Sequence, residues 1–145
     1  MTTLHRLAMV PYSAENMYRL IDDIESYPNF LPWCTQTKIL EKNDQEIIAT
    51  IELSAAGMHK SFTTRNKLIP NQRIEMQHVE GPFKHLSGVW TLIPVAKGCQ
   101  VKLDLEFEVH SGLAGKIFGM LYNKVADKLV ESFCEQADKL YGNIK

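Results

Sequence analysis

The sequence predicts an α+β fold: a curved antiparallel sheet of about seven strands wrapped around one long C-terminal helix, with two short helices after the first strand. Three observations carry this. Cys99, Val101, Leu103, Leu105, Phe107 and Val109 alternate with Gln100, Lys102, Asp104, Glu106 and Glu108, the period of a half-buried antiparallel strand with one wet face. From Leu113 to the end the period changes to that of a helix. Between the two helical regions, short turns alone interrupt the period of two. Strands so joined form an antiparallel sheet with its helices grouped on one side, and a twisted sheet of that size curls around a long helix.

Taken in order, Leu4 to Val10 reads as the first strand, ended by Pro11, which cannot donate to a ladder. Ser13 is suited to cap a helix of about ten residues with Glu15 in its first turn. Met17, Leu20, Ile21 and Ile24 give that helix its apolar face. Tyr27-Pro28-Asn29-Phe30-Leu31-Pro32-Trp33 follows, a proline-bracketed segment that reads as a helical turn or loop. From about residue 36 strands take over. Ile47, Ala49, Ile51 and Leu53 alternate with Ile48, Thr50, Glu52 and Ser54, and Phe62–Ile69, Arg73–Val79 and Leu86–Ile93 follow. Asn43-Asp44-Gln45, Pro70-Asn71-Gln72, Gly81-Pro82 and Lys97-Gly98 supply the turns. The final helix, of about 28 residues and roughly 40 Å, stacks Leu113, Ile117, Leu121, Val125, Leu129, Phe133 and Ala137 along one row. Its opposite side carries lysines and carboxylates. Gly112, Gly115 and Gly119 at its start are expected to mark either close backbone approach or a frayed, kinked beginning.

Composition narrows the function. The chain has 145 residues, 45% hydrophobic and 23% charged, with a net charge of −1, which suits one domain spanning 1–145. That balance excludes a wholesale electrostatic binder of nucleic acid, and DNA is not an expected partner. The cysteines Cys34, Cys99 and Cys134 are odd in number and form no CxxC, which argues for a reducing cytoplasm over a disulfide framework. The residues after Met1 have neither the apolar run of a signal peptide nor the Arg-rich lead of a transit peptide, and no apolar run is long enough to span a bilayer.

Val10-Pro11-Tyr12-Ser13-Ala14-Glu15, Tyr27-Pro28-Asn29-Phe30-Leu31-Pro32-Trp33-Cys34, Phe62-Thr63-Thr64-Arg65-Asn66 and Gly81-Pro82-Phe83-Lys84-His85-Leu86 with Gly88-Val89-Trp90 occur in an order and spacing found in one family. Together they make the chain resemble the coenzyme-Q-binding and ribosome-association-toxin branch of the START-like superfamily, in its bacterial form. The resemblance implies a helix-grip fold with a hydrophobic tunnel, and non-enzymatic binding and delivery of a polyprenyl quinone such as ubiquinone in support of respiration. It also implies an alternative: a toxin that binds the large ribosomal subunit and blocks subunit joining.

A quinone tail needs aromatic and flexible aliphatic walls with few polar groups. Phe62, Met76, Leu86 and Trp90 are expected to line the sheet side, and Ile117, Phe118, Leu121 and Val125 the helix side. Tyr27, Phe30, Leu31 and Trp33 are expected to form a lid. Taken singly, each is more ordinarily a core residue; the resemblance is what joins them. The quinone head only accepts hydrogen bonds, so its site needs a donor, from Arg65, Tyr27, His78 or Trp90. Outside the pocket, the stretch between Glu52 and Glu75 has no acidic residue but contains Lys60, Arg65, Lys67 and Arg73. Those four make a basic patch that ribosomal RNA or anionic lipid could use, including in peripheral contact with the inner membrane. A solvated hairpin face explains them equally well. No nucleophile elbow or acid–base pair of known spacing is present. Asp104, Glu106 and Glu108 fall on the wet face of their strand, so no catalytic residue is assigned. The five histidines show no metal-ligand spacing.

Overall fold

The computed structural model describes residues 1–55 and 57–142. Its order is β1 (Thr2–Val10), α1 (Ala14–Asp22), a 3₁₀ helix (Ile24–Asn29), β2 (Cys34–Lys42), β3 (Glu46–Ala55), β4 (Met58–Ile69), β5 (Arg73–Glu80), β6 (Phe83–Val95), β7 (Gly98–Val109) and α2 (Leu113–Tyr141). The strands form one antiparallel sheet in the order β1-β7-β6-β5-β4-β3-β2. β1, made first, pairs with β7, made last, and α2 then packs back across β1 and β7.

Local chemistry explains the boundaries. Ser13 caps α1, its Oγ accepting from the Asn16 N–H at 3.1 Å. Asn43 makes the β2–β3 turn by accepting from the amides of Gln45 and Glu46 at 2.8 and 2.9 Å. Several strands run longer than their hydrophobic pattern shows: β2 begins at Cys34, β4 at Met58 and β6 at Phe83. The added residues are mostly polar or lie at strand ends, where pairing continues without an apolar signal.

The core lies between the inner face of the sheet and the helices. Met17, Leu31, Ile47, Leu53, Val101 and Phe133 are almost wholly buried there. Phe133 of α2 is its centre, with the rings of Tyr27, Phe30 and Trp90 each edge-on to it at 5.2–5.3 Å. Of the three glycines at the start of α2, Gly115 and Gly119 mark close approach. A Cβ on Gly115 would lie 1.9 Å from the His110 carbonyl oxygen, and one on Gly119 3.0 Å from the Val109 side chain. Among the described residues no helix is long and apolar enough to cross a membrane.

Candidate ligand site between helix and sheet

β3, β4, β5, β6 and β7 present their inner faces to α2 around a narrow, partly open cavity of about 50 Å³. Its sheet side is Ile51, Phe62, Thr64, Asn66, Met76, Leu86, Gly88 and Leu105; Ile24, Tyr27 and Tyr122 close the other side. Ligand pockets for drug-sized molecules run to several hundred Å³. The space as it stands admits a water or a carbonyl group, and a quinone ring enters only if wall side chains move. In place of the hydrophobic tunnel that the resemblance implied, the structure has a small, narrow cavity.

Of the expected lining, Phe62, Met76, Leu86 and Tyr27 meet at this cavity. Trp90 is buried farther along β6 against Phe133. Phe118 is buried on α2 with its ring 5.2 Å from that of Phe83, and Leu121 is half-buried against the core. Ile117 is a correction: it is 46% exposed. The row Leu113–Ile117–Leu121 lies too far round the helix at its start, and the residues that turn inward there are Phe118 and Tyr122.

The segment expected as a lid is packed into the core, with Tyr27 at the cavity's edge. The Tyr27 hydroxyl donates to the Ile21 carbonyl oxygen, and the Leu31 amide donates to Tyr27 O at 2.9 Å. These bonds wind the segment into the core and bury Tyr27 and Leu31. Phe30 is half-buried against Tyr27 and Phe133. Trp33 and Val125 face a separate surface groove of about 330 Å³ shared with Pro32, Lys124 and Lys128.

Sequence reasoning missed Tyr122, Thr64 and Asn66. The Tyr122 ring packs against Phe83 and Phe107 at 4.8 and 4.9 Å. Burial pushes the hydroxyls of Tyr27 and Tyr122 well above the ordinary tyrosine range, so both stay neutral. Thr64 and Asn66 are buried polar residues on the inner face, with Thr64 Oγ1 donating to Asn66 Oδ1 at 2.9 Å. Among the four candidate head-group donors, Arg65 is on the outer face with its Nε 3.3 Å from Glu46 Oε1, and Tyr27 is committed to Ile21. Trp90 is enclosed in the core. His78 alone has a buried ring nitrogen, Nε2, without a hydrogen-bond partner among the described residues.

The basic patch is diluted by its neighbours across the sheet. Lys67 stands opposite Glu46 on one side and Glu75 on the other, and Arg73 Nε is 2.9 Å from Glu75 Oε2. Lys60 has the parity of Phe62, opposite to that of Arg65 and Lys67, so the four cations do not share a face. The outer-face carboxylate Asp104 is held by His5 at 2.6 Å. The cysteines are unpaired, and burial pushes their thiols up, Cys34 to about 11. At neutral pH they are thiols, not nucleophilic thiolates. Among the described residues no group of histidines, cysteines and carboxylates could hold a metal ion.

The comparisons with known proteins agree with this architecture. The chain is 42% identical over 142 residues to the ribosome association toxin RatA of Escherichia coli, covering 97% of this chain and 90% of that protein. It is 26% identical over 136 residues to the mitochondrial coenzyme Q-binding protein COQ10 homolog B of Xenopus laevis, covering 90% of this chain and 56% of that one. The ZhuI aromatase/cyclase of Streptomyces sp. R1128 superposes with a TM-score of 0.84 at 17% identity, covering 95% and 94% of the two chains, a likeness of fold alone. A family model matches residues 10–134, and the chain belongs to the polyketide cyclase/dehydrase and lipid transport family, with the START-like fold.

Proposed function

We propose that this chain works by associating with the ribosome, and that its helix–sheet interior takes an isoprenoid quinone or similar apolar ligand as a second, separable property. One observation carries the first reading: the 42% identity with RatA, a protein named for ribosome association, runs through 97% of the chain, so both faces of the sheet and both α-helices fall within the match. The resemblance read from the sequence directs that association to the large subunit, with blocked subunit joining as its consequence. Adding the purified chain to ribosomal subunits and separating them on a sucrose gradient tests it. Co-migration with the large subunit and fewer joined ribosomes are expected; a chain that stays at the top of the gradient at low salt contradicts the reading.

The second reading is favoured by the cavity. Its walls are apolar and aromatic with a small polar end, its family is described by lipid transport, and a relative is named for binding coenzyme Q. No covalent cofactor is part of this reading, and neither property requires bond chemistry. One domain over residues 1–145, working in the cytoplasm and touching the inner membrane peripherally when ligand is exchanged, serves both. Solvent extraction and mass spectrometry of the protein from a quinone-producing host test it. A near-stoichiometric quinone, lost in Leu121→Arg, is expected; an empty protein that also refuses added quinone overturns it.

A further inference from the structure

The inner face of the β4–β5 pair breaks the apolar rule at one place. The buried polar side chains of the described residues are Thr63, Thr64 and Asn66, and the last two line the cavity. His78 stands directly opposite Thr64 in the β4–β5 register, so its side chain projects from the same face beside it. Its ring meets the edge of Phe83 at 5.8 Å, and its Nε2 is buried without a hydrogen-bond partner among the described residues. Buried polar atoms in folded proteins are ordinarily satisfied, and an exception calls for a physical reason.

The donor set fits one kind of guest. Asn66 Oδ1 is engaged by Thr64, so what Asn66 can offer is its two N–H groups. His78 stands on the same face beside the cavity but outside its walls, facing a surface groove with Lys84 and His85, and with its proton on Nε2 it offers another donor to a guest that displaces the intervening side chains. No Lys, Arg, Asp or Glu is among the cavity walls. An anionic or cationic head would enter this place stripped of water and without a counter-charge, at a heavy desolvation cost. A neutral oxygen would find donors waiting, and the present space matches a carbonyl group more nearly than a ring.

We propose that Asn66 and His78, with Thr64 orienting the Asn66 amide, form the head-group end of the interior site and take the neutral, hydrogen-bond-accepting oxygen of an otherwise apolar ligand. This rests on the reading that the interior accepts such a ligand, and the experiment separates the two. Two probes are titrated into the purified protein: decylubiquinone, followed by quenching of tryptophan fluorescence, and diphenylhexatriene, a fluorescent hydrocarbon without oxygen. Asn66→Leu and His78→Phe are each expected to weaken decylubiquinone binding about tenfold while leaving diphenylhexatriene unchanged. His78→Gln, which keeps a donor, is expected to retain most of the affinity. Palmitate, with its anionic head, is expected not to displace decylubiquinone. If both variants bind decylubiquinone like the wild type, or palmitate displaces it freely, the head-group assignment is wrong while the interior site stands. If the wild type binds neither decylubiquinone nor diphenylhexatriene, the interior reading falls and takes the assignment with it. Should Asn66→Leu fail to fold, the near-isosteric His78→Phe and His78→Gln decide alone.

Discussion

The two faces of the β4–β5 pair are made from alternating residues of the same strands, and they do opposite things with polarity. Inward, Phe62, Ile74, Met76 and Leu86 of the neighbouring β6 surround two neutral polar groups, Thr64 and Asn66, that are bonded to each other. Outward, Arg65, Lys67 and Arg73 interleave with Glu46 and Glu75 in water. Charge is affordable only on the outer side, where solvent screens it; the inner side permits polarity only when neutral and hydrogen-bonded. A residue's parity on these strands therefore decides whether it faces the apolar interior or the solvated outer surface, and the two faces can be altered separately.

Substitutions should respect that division. The largest effect is expected inside. Phe62→Ala removes a ring packed edge-on against Phe83 and Tyr122 at 5.7 and 5.9 Å and should cost about 3–5 kcal/mol in chemical denaturation. Lys67→Ala on the opposite face should stay within about 0.5 kcal/mol. Gly88→Ala sharpens the comparison. Its Cβ would meet Leu105 Cδ1 at 2.8 Å and Met76 Cε at 2.9 Å, flexible tips that can yield, so a loss of about 1 kcal/mol is expected. Diphenylhexatriene uptake should fall further than stability does.

Outside, Lys67→Glu should reduce retention on ribosomes by roughly two- to tenfold at low salt and flatten the salt dependence of what remains. Glu46→Gln with Glu75→Gln should raise retention by uncovering the three cations. If neither change moves retention in a sedimentation assay, the ribosome contact lies on another surface.

The smallest effect concerns Asp22 at the end of α1, whose Oδ1 is buried without a partner among the described residues. Burial raises its carboxyl above the usual value of 3.8, an effect that Lys42 partly offsets. A raised folded-state value favours the protonated form, so whatever stability it confers is present below the unfolded value and is lost as pH rises through the folded one. Asp22→Asn should therefore raise the melting temperature at pH 7 by about one or two degrees, with the gain fading as pH falls toward 4.

Much of this was legible before the structure. Strict alternation over residues 99–109 and helical spacing after Leu113 correspond to β7 and α2 almost residue for residue, because each keeps one regular period over its whole length. What escaped had physical reasons. β2 is an edge strand whose residues after Cys34 are exposed or half-buried, so it has little hydrophobic pattern to read. Thr64 and Asn66 look like outward residues to any hydropathy rule, and only their register beside Met76 and His78 shows otherwise. The acidic neighbours of the basic patch were not legible because counting charges along the chain does not show the pairing that sets Glu46 and Glu75 on either side of Lys67. Ile117 continues an apolar row that the sheet does not cover.

The most direct test of ribosome association is the sedimentation of this chain with separated ribosomal subunits as magnesium is raised to drive their joining. The chain is expected to travel with the large subunit, and the joined particle to decline as protein is added. Full joining, with the chain left unbound at low salt, would contradict it.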